Sequence, residues 1–239
     1  MRAAELFRAG KLDEAIELLG SELRDDPSDA RRRTFLFELL CFAGNFDRAE
    51  KQLDVLARGG PQAEAGTLLY RGALQAERTR QELFEDRQKA GEGPEPAPVS
   101  GTLNGRPFQA LHDADPRIGP RLEVFAGGQY LWIPLEHVTS IRMEPPRRVR
   151  DLLWAPAGVR AGPGLRGIEL GEVLLPVLAP HSWAHDDPRV RLGQVTEWTQ
   201  LADGRPAPVG QKLLLVDDEE FPILEVRELD VVPVPAGAS

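Results

Sequence analysis

The spacing of apolar residues divides the chain into a helical first part and a second part built from short strands. Up to residue 89 the apolar residues recur at intervals of three and four, which is typical of amphipathic helices. After residue 101 they alternate with polar residues in short runs separated by Gly and Pro, which is typical of strands and turns. Residues 90–101 have no apolar periodicity and are dense in Pro and Gly, so we expect a linker there. These patterns predict an α+β protein with a helical domain over residues 1–89 and a β-rich domain over residues 102–239.

The helical part contains an internal repeat with an offset of 34 residues, the period of tetratricopeptide repeats. Five positions of the first unit recur in the second: Gly10 and Gly44, Asp13 and Asp47, Ala15 and Ala49, Leu19 and Leu53, Pro27 and Pro61. Glycine suits the end of a first helix, alanine lets two helices approach closely, and proline ends a second helix. The sequence therefore predicts a tetratricopeptide-like array of α-hairpins.

A third, degenerate unit is expected from about Gln62 to Gln88. Its apolar positions are expected to be Leu68, Leu69, Leu74 and Leu83. Two and a half repeats are marginally stable alone, because each repeat buries its apolar face only against its neighbours. We therefore expect the β-rich domain to cap the array.

The β-rich part is predicted to contain a hairpin and several other short strands. Residues 122–126 and 129–133 flank Gly127 and Gly128, which favour a two-residue hairpin turn. Further strands are expected over Val138–Met143 and over residues 193–198, 212–216 and 222–226. Prolines recur between the runs, which suits short, bent strands in a small barrel or sandwich. A short helix is expected over residues 148–154.

Composition and charge narrow the classes of function. The net charge is −9, which opposes binding to nucleic acid and to anionic lipid. Cys41 is the only cysteine, so no intrachain disulfide is expected. No apolar run is long enough to span a membrane, and the first residues lack the pattern of a signal peptide. These features predict a cytoplasmic protein that acts on neither membrane nor nucleic acid.

Two groups of titratable residues are candidate metal or catalytic sites. His181 and His185 lie four residues apart beside Asp186, but flanking prolines favour a loop, so the spacing does not place them on one helical face. His112 lies beside Asp113 and Asp115, where the following Pro-Arg favours a turn.

Other candidate features favour structural interpretations. Cys41 lies among Leu and Phe in a predicted helix, which favours a buried thiol. The glycines of residues 158–167 lack the Lys-Ser/Thr of a P-loop and favour a surface loop. The basic clusters at residues 31–33 and 147–150 are short and lack interleaved aromatic residues. The acidic run at residues 217–220 lacks the spaced ligands of a calcium loop and favours a hairpin tip. We therefore expect no catalytic residue, metal or cofactor.

Five blocks of sequence resemble the ImpE/TagJ family of accessory proteins of bacterial type VI secretion systems. They are ELLCFAGNFDRAEKQLD at 38–54, DADPRIGP at 113–120, RDLLWAPA at 150–157, RLGQVTEW at 191–198 and DEEFPILEVR at 218–227. The resemblance implies a non-catalytic adaptor that binds the small subunit of the contractile sheath. It also implies a link to the ClpV ATPase, which recycles contracted sheath.

The helical array suggests where a partner binds. Arg31, Thr34 and Glu38 fall at i, i+3 and i+7 on one face of the first helix of a repeat. Because the concave faces of such arrays commonly receive a peptide, we expect these three residues to contact the partner. Two alternatives remain at this point: a general tetratricopeptide scaffold outside secretion, and a metal-dependent enzyme that uses the histidine groups.

Overall fold

The N-terminal part of the protein is an array of five antiparallel helices. The computed structural model describes residues 2–85, 96–162 and 170–233. The helices are α1 (Arg2–Arg8), α2 (Leu12–Asp25), α3 (Ala30–Phe42), α4 (Phe46–Ala57) and α5 (Pro61–Glu85). The pairs α1–α2 and α3–α4 correspond to the two predicted repeats. The α+β fold class with a tetratricopeptide-like N-terminal region is confirmed.

The repeated residues have the roles that their chemistry predicts. Gly10 and Gly44 end the first helix of each hairpin in the left-handed conformation, with φ values of +75° and +68°. Ala15 and Ala49 are fully buried, where a larger side chain would separate the helices. Asp29 caps α3, because its carboxylate accepts a hydrogen bond from the Arg32 backbone N–H at 2.8 Å.

The expected third, degenerate unit is half a repeat in the structure, and its residues 86–88 lie outside the described residues. It is one continuous helix of 25 residues, α5. Leu74 is buried as expected, but Leu68 and Leu69 are 63% and 57% exposed. The buried stripe of α5 runs instead from Ala73 to Phe84 and includes charged and polar side chains. The spacing of apolar residues in the sequence did not predict this stripe, because polar residues replace apolar ones where α5 meets the β-rich part.

The β-rich part contains thirteen described strands in three antiparallel sheets. The strands are β1 (Val99–Leu103), β2 (Arg106–Phe108), β3 (Leu111–Asp113), β4 (Arg121–Ala126), β5 (Gln129–Pro134), β6 (Val138–Met143), β7 (Trp154–Ala161), β8 (Gly171–Pro176), β9 (Glu197–Gln200), β10 (Pro206–Val209), β11 (Leu213–Val216), β12 (Glu219–Pro222) and β13 (Glu228–Pro233). An eight-stranded sheet has the order β2-β1-β13-β6-β7-β8-β4-β5. A three-stranded sheet has the order β12-β11-β3, and β9 pairs with β10. An apolar core lies between the large sheet and the three-stranded sheet, with Val124, Ile141 and Leu214 among its members.

Several of the predicted strands and turns are present in the structure. Strands β4 and β5 pair from Arg121 with Pro134 to Ala126 with Gln129, so the hairpin around Gly127 and Gly128 is confirmed. Strand β6 has the predicted bounds. A 3-10 turn, Val149–Leu152, lies where the short helix was expected.

Five strand and loop boundaries differ from expectation. Strand β1 begins at Val99, inside the expected linker, of which residues 90–95 lie outside the described residues. Gly158 lies within β7 rather than in a surface loop, and residues 163–167 of that expected loop are outside the described ranges. Of the strand expected over residues 193–198, only the last two residues lie in a strand, β9 (Glu197–Gln200). The acidic turn is tighter than expected, because Asp217 and Asp218 alone have positive φ. After it, residues 222–226 form a 3-10 turn, Ile223–Glu225, rather than a strand.

The β-rich part packs against the turns and helices of the array. The Trp183 ring lies against Gly44, at the turn between α3 and α4. The guanidinium of Arg191, from the short helix α6 (Pro188–Arg191), pairs with Asp13 of α2 at 2.8 Å. Phe37 of α3 and Trp154 of β7 have ring centroids 6.3 Å apart. None of the helices in the described ranges is long and apolar enough to cross a bilayer.

The contact between Trp183 and Gly44 predicts that alanine at position 44 destabilises the protein. Gly44→Ala combines a left-handed backbone with a Cβ that would lie 2.5 Å from the Trp183 ring. We expect the free energy of unfolding to fall by about 2 to 4 kcal/mol, measured by urea denaturation.

Gly105→Ala is the matched control. Gly105 also has a positive φ, +77°, but nothing lies within 4 Å of a Cβ at this position. Only the backbone cost of about 1 kcal/mol is expected. Equal losses for the two variants would contradict the role assigned to Trp183.

Candidate functional site

The three residues predicted to contact a partner do not share one open surface. Arg31 is exposed at the start of α3, and Thr34 is half-buried, with its hydroxyl donating to the Ala30 carbonyl at 2.8 Å. Glu38 is only 7% exposed, so its expected place on an open face is wrong. The physical reason is that α3 is buried on all sides from Phe35 to Phe42, between the array core and the β-rich part.

Glu38 instead faces Arg150 from the β-rich part. The Arg150 Nε lies 4.0 Å from a Glu38 carboxylate oxygen, and the Arg150 guanidinium stacks 4.5 Å from the centre of the Tyr70 ring. Burial raises the pKa of Glu38 to about 7, and the pairing with Arg150 only partly opposes this. Glu38 therefore belongs to the contact between α3 and the β-rich part.

A buried ion-pair network joins α5 to the large sheet. The Arg80 guanidinium donates to both carboxylate oxygens of Glu123, from Nε at 2.7 Å and from Nη2 at 3.1 Å. Lys212 forms ion pairs with Glu123 and Asp113. Tyr130 donates its hydroxyl to Glu123 at 2.5 Å. The side chains of Arg80, Glu123, Asp113 and Lys212 are at most 4% exposed, so water screens these contacts little.

Glu77 extends the network along α5. Its carboxylate lies 3.3 Å from Arg80 and accepts hydrogen bonds from Gln81 at 2.6 Å and from the Trp154 indole at 3.0 Å. The carbonyl oxygen of Gln81 in turn accepts a hydrogen bond from the Trp183 indole at 3.2 Å. The polar stripe of α5 is thus satisfied by groups of the β-rich part.

Burial and the neighbouring charges shift the pKa values of two carboxylates in the network. Three carboxylates face two cations, so one negative charge is in excess. Burial raises the pKa of Asp113 to about 6, although Lys212 opposes the shift. Burial alone would also raise the pKa of Glu123, but Arg80 and Lys212 together lower it to about 2. Such perturbed carboxylates often mark active sites, but they also occur in structural networks.

The network has no room for a substrate. The cavity that adjoins Asp113, Glu123 and Lys212 has a volume of about 20 Å³, enough for one water molecule. The remaining groups are occupied by the hydrogen bonds described above. We conclude that the network stabilises the contact between α5 and the sheets.

The two histidine groups lie apart: His112 is in strand β3, with its Nδ1 2.9 Å from the Asp113 carbonyl oxygen, whereas His181 and His185 flank a turn. Asp113 accepts a hydrogen bond from the Asp115 backbone N–H at 2.9 Å, and Asp115 pairs with Arg117 at 2.5 Å. His181 has a left-handed backbone, with φ +60°, at the start of a 3-10 turn that separates it from His185. Within the described ranges no group of three or more His, Cys, Asp or Glu side chains is arranged to hold a metal ion.

A large open cleft lies between α5 and one face of the eight-stranded sheet. Its volume is about 870 Å³. The apolar floor consists of buried side chains from the sheet, including Phe125, Trp154 and Leu174, together with Tyr70 and the exposed Leu69 of α5. One lip is the segment that runs from Glu144 through Pro145 and Pro146 to Asp151.

Arginine side chains dominate this lip. Asp151 accepts hydrogen bonds from the backbone N–H groups of Arg147 and Arg148, each at 2.9 Å, and so holds the segment in place. Arg150 completes the lip and is held by Glu38 and Tyr70. We call this cleft, with its apolar floor and arginine lip, the α5 cleft.

Sequence reasoning missed the α5 cleft because its lining comes from widely separated segments. Its elements are α5, the β4–β5 hairpin, β6, the 144–151 segment, β7, β8 and the start of β13. One signal for it is present in the sequence, the arginine cluster at residues 147–150, which becomes part of the cleft lining only in the folded chain.

Comparison with known proteins gives two kinds of similarity. The model of the ImpE protein family matches residues 105–230, and a tetratricopeptide-repeat model matches residues 6–72. The type VI secretion system accessory component TagJ of Pseudomonas aeruginosa is 35% identical over an alignment that covers 99% of this chain and 93% of that protein. The crystal structure of protein VPA1032 from Vibrio parahaemolyticus has the same fold, with a TM-score of 0.84 at 22% sequence identity and 99% of each chain covered.

The network predicts a large loss of stability for Glu123→Gln. The amide would place a donating nitrogen among the donors of Arg80, Lys212 and Tyr130. We expect the free energy of unfolding to fall by about 3 to 5 kcal/mol in urea denaturation, the range seen when a buried ion pair is broken. Asp47→Asn is the control, since Asp47 is 93% exposed and pairs with Arg78 at 2.8 Å. A change below about 1 kcal/mol is expected for it, and similar losses in both variants would argue against the network.

The raised pKa of Glu38 predicts a pH-dependent contribution to stability. Between the unfolded value of 4.5 and the folded value of about 7, the folded state holds the proton more tightly than the unfolded state does. The contribution of Glu38 is therefore fully present below pH 4.5 and is lost as the pH rises through 7. Between pH 4.5 and 7.5 the stability of wild type relative to Glu38→Gln should fall by roughly 3 kcal/mol, measured by urea denaturation. A difference that does not change with pH would contradict the burial of the ionised carboxylate.

Proposed function

The chain belongs to the ImpE family, and from this premise we propose that it is a non-catalytic accessory component of a bacterial type VI secretion system. It binds the small subunit of the contractile sheath and links it to the ClpV-type ATPase that recycles contracted sheath. Its place of action is the cytoplasm. The observation that carries the proposal is the similarity to TagJ along 99% of the chain, which includes both the array and the β-rich part.

The structure is consistent with an adaptor. Of the residues that suggested an enzyme, Asp113 belongs to the buried network and Asp115 pairs with Arg117, and the cavity beside the network has a volume of about 20 Å³. Tetratricopeptide arrays bind protein segments rather than transform small molecules. The large open feature of the described chain is the α5 cleft, whose apolar floor and charged lip resemble the composition of a protein interface.

The first partner contact in this proposal is at the start of α3. Arg31 is exposed there, and Thr34 lies one turn further on. Since Glu38 is buried, it supports this helix from the inside rather than presenting its carboxylate to a partner. Because Arg31 is a cation, we expect the partner to present an acidic group to it.

Titration calorimetry with the purified cognate small sheath subunit tests the proposal. We expect saturable binding to wild type with a micromolar or lower Kd. Arg31→Glu should weaken binding at least about tenfold, because a single charge reversal at a contact costs more than 1.4 kcal/mol. Absence of binding between wild type and the sheath subunit would overturn the proposed function.

Lys51→Glu is the matched control for Arg31→Glu. Lys51 is exposed on α4, and the substitution changes the net charge by the same amount. We expect its Kd to be within about twofold of wild type, since a charge outside a contact acts only through screened, long-range electrostatics. Equal weakening by both substitutions would remove Arg31 from the contact and leave only a general charge effect.

A further inference from the structure

The α5 cleft has the size and the openness of a groove for a protein segment. It has a volume of about 870 Å³, and its floor is apolar along strands β7 and β8. Leu69 is 57% exposed and lines the cleft together with the half-buried Tyr70 and the buried Phe125 and Leu174. Isolated exposed leucines are ordinary, but one that continues an apolar floor inside a concave surface is typical of a binding site.

The charge of the lip indicates the chemistry of the occupant. Arg147 forms only an exposed pair with Glu144 at 3.3 Å, with both side chains more than 75% exposed. No ion pair joins Arg148 to a carboxylate of the described chain. The carboxylate of Asp151 accepts hydrogen bonds from backbone N–H groups, so it does not neutralise these guanidinium groups directly. A chain with a net charge of −9 thus presents a local row of arginine side chains.

Charged residues of both signs line the rest of the cleft: Glu172 at the start of β8, Glu228 at the start of β13, Arg142 and Arg227. Arg142 is paired with Asp230 at 2.7 Å, and the Arg227 guanidinium donates to two backbone carbonyls. The arginine lip is therefore the part of the cleft that favours an acidic occupant, and the apolar floor favours the apolar side of that occupant.

The lip is held in place before a partner arrives. Pro145 and Pro146 restrict the backbone, Asp151 fixes the turn, and Arg150 is held by Tyr70 and by Glu38 of α3. Holding long side chains in advance reduces the entropy lost on binding. The lip is also connected to α3, the helix that carries Arg31.

We infer that the α5 cleft is the docking groove for an acidic, amphipathic segment of the partner protein. The segment lies with its apolar residues against Leu69, Tyr70 and the sheet floor, and with its carboxylates facing Arg147 and Arg148. An amphipathic helix laid into an apolar groove is a common way to recognise such a segment. This inference rests on the proposed function, since it gives the sheath subunit a second and larger contact besides that at Arg31.

Two neighbouring leucines provide a matched test by calorimetry with the cognate small sheath subunit. Leu69 lines the cleft, whereas Leu68 does not, and the two are 57% and 63% exposed on the same helix. We expect Leu69→Ser to weaken binding at least fivefold and Leu68→Ser to leave the Kd within twofold of wild type. Arg148→Glu should weaken binding at least tenfold, compared with Lys51→Glu as the charge control.

The outcomes separate the two proposals. If wild type does not bind, the proposed function fails, and this inference fails with it. If wild type binds and Arg31→Glu weakens binding, but Leu69→Ser and Arg148→Glu bind like wild type, the α5 cleft inference alone is overturned. Equal weakening by Leu68→Ser and Leu69→Ser would also overturn it, because the effect would then not depend on the cleft.

Crosslinking identifies the segment itself. Cys41 is buried and burial raises the pKa of its thiol, so a maleimide reagent will label an introduced cysteine in preference. Leu69→Cys carrying benzophenone maleimide should crosslink the sheath subunit, and Leu68→Cys should do so at most weakly. Mass spectrometry of the crosslinked peptide should give a segment that combines Asp or Glu with apolar residues at helical spacing. A basic segment, or one without apolar residues, would overturn the assigned chemistry.

Discussion

The paired hydrogen bonds between Arg80 and Glu123 are the contact on which the arrangement of the whole chain depends. Arg80 lies on α5, the last helix of the array, and Glu123 lies on β4 of the large sheet. Both side chains are at most 1% exposed, and the guanidinium donates through Nε and Nη2 to the two carboxylate oxygens. Planar, two-point pairing constrains both distance and orientation, which apolar packing alone does not do. Removing charges from water is costly, so the pair fits only where the remaining donors and acceptors are also satisfied.

The surrounding residues meet this requirement. Lys212 and Tyr130 complete the shell of Glu123, while Glu77 and the Leu178 carbonyl complete that of Arg80. Because the network residues come from α5, β3, β4, β5, the residue before β11 and the loop after β8, the network connects the array to two of the three sheets. The network favours one placement of the array relative to the sheets over other placements that would bury a similar apolar area. The raised pKa of Asp113 follows from its burial and, to a smaller extent, from the neighbouring carboxylate of Glu123.

The two candidate interaction surfaces, the α5 cleft and the start of α3 at Arg31, both result from the way the array packs against the sheets. The α5 cleft exists because α5 is held against β4 and β5, where Gly72 of α5 passes close to Gly128 of the hairpin. The same docking buries Glu38 and brings Arg150 beside it, so one end of α3 is enclosed while the other end, at Arg31, is open. Both surfaces therefore depend on the packing of the array against the β-rich part and not on the array alone.

Local pattern was sufficient for much of the architecture. The 34-residue repeat specified two α-hairpins, because glycine, alanine and proline act through the backbone and through helix spacing at short range. Gly127 and Gly128 specified a hairpin for the same reason, and five sequence blocks identified the family. The tertiary structure decided what depends on residues far apart in the chain: the burial of Glu38, the polar stripe of α5 and the α5 cleft. Periodicity shows that a side chain is polar, but only the packed fold determines whether a distant charge, an apolar floor or water lies opposite it.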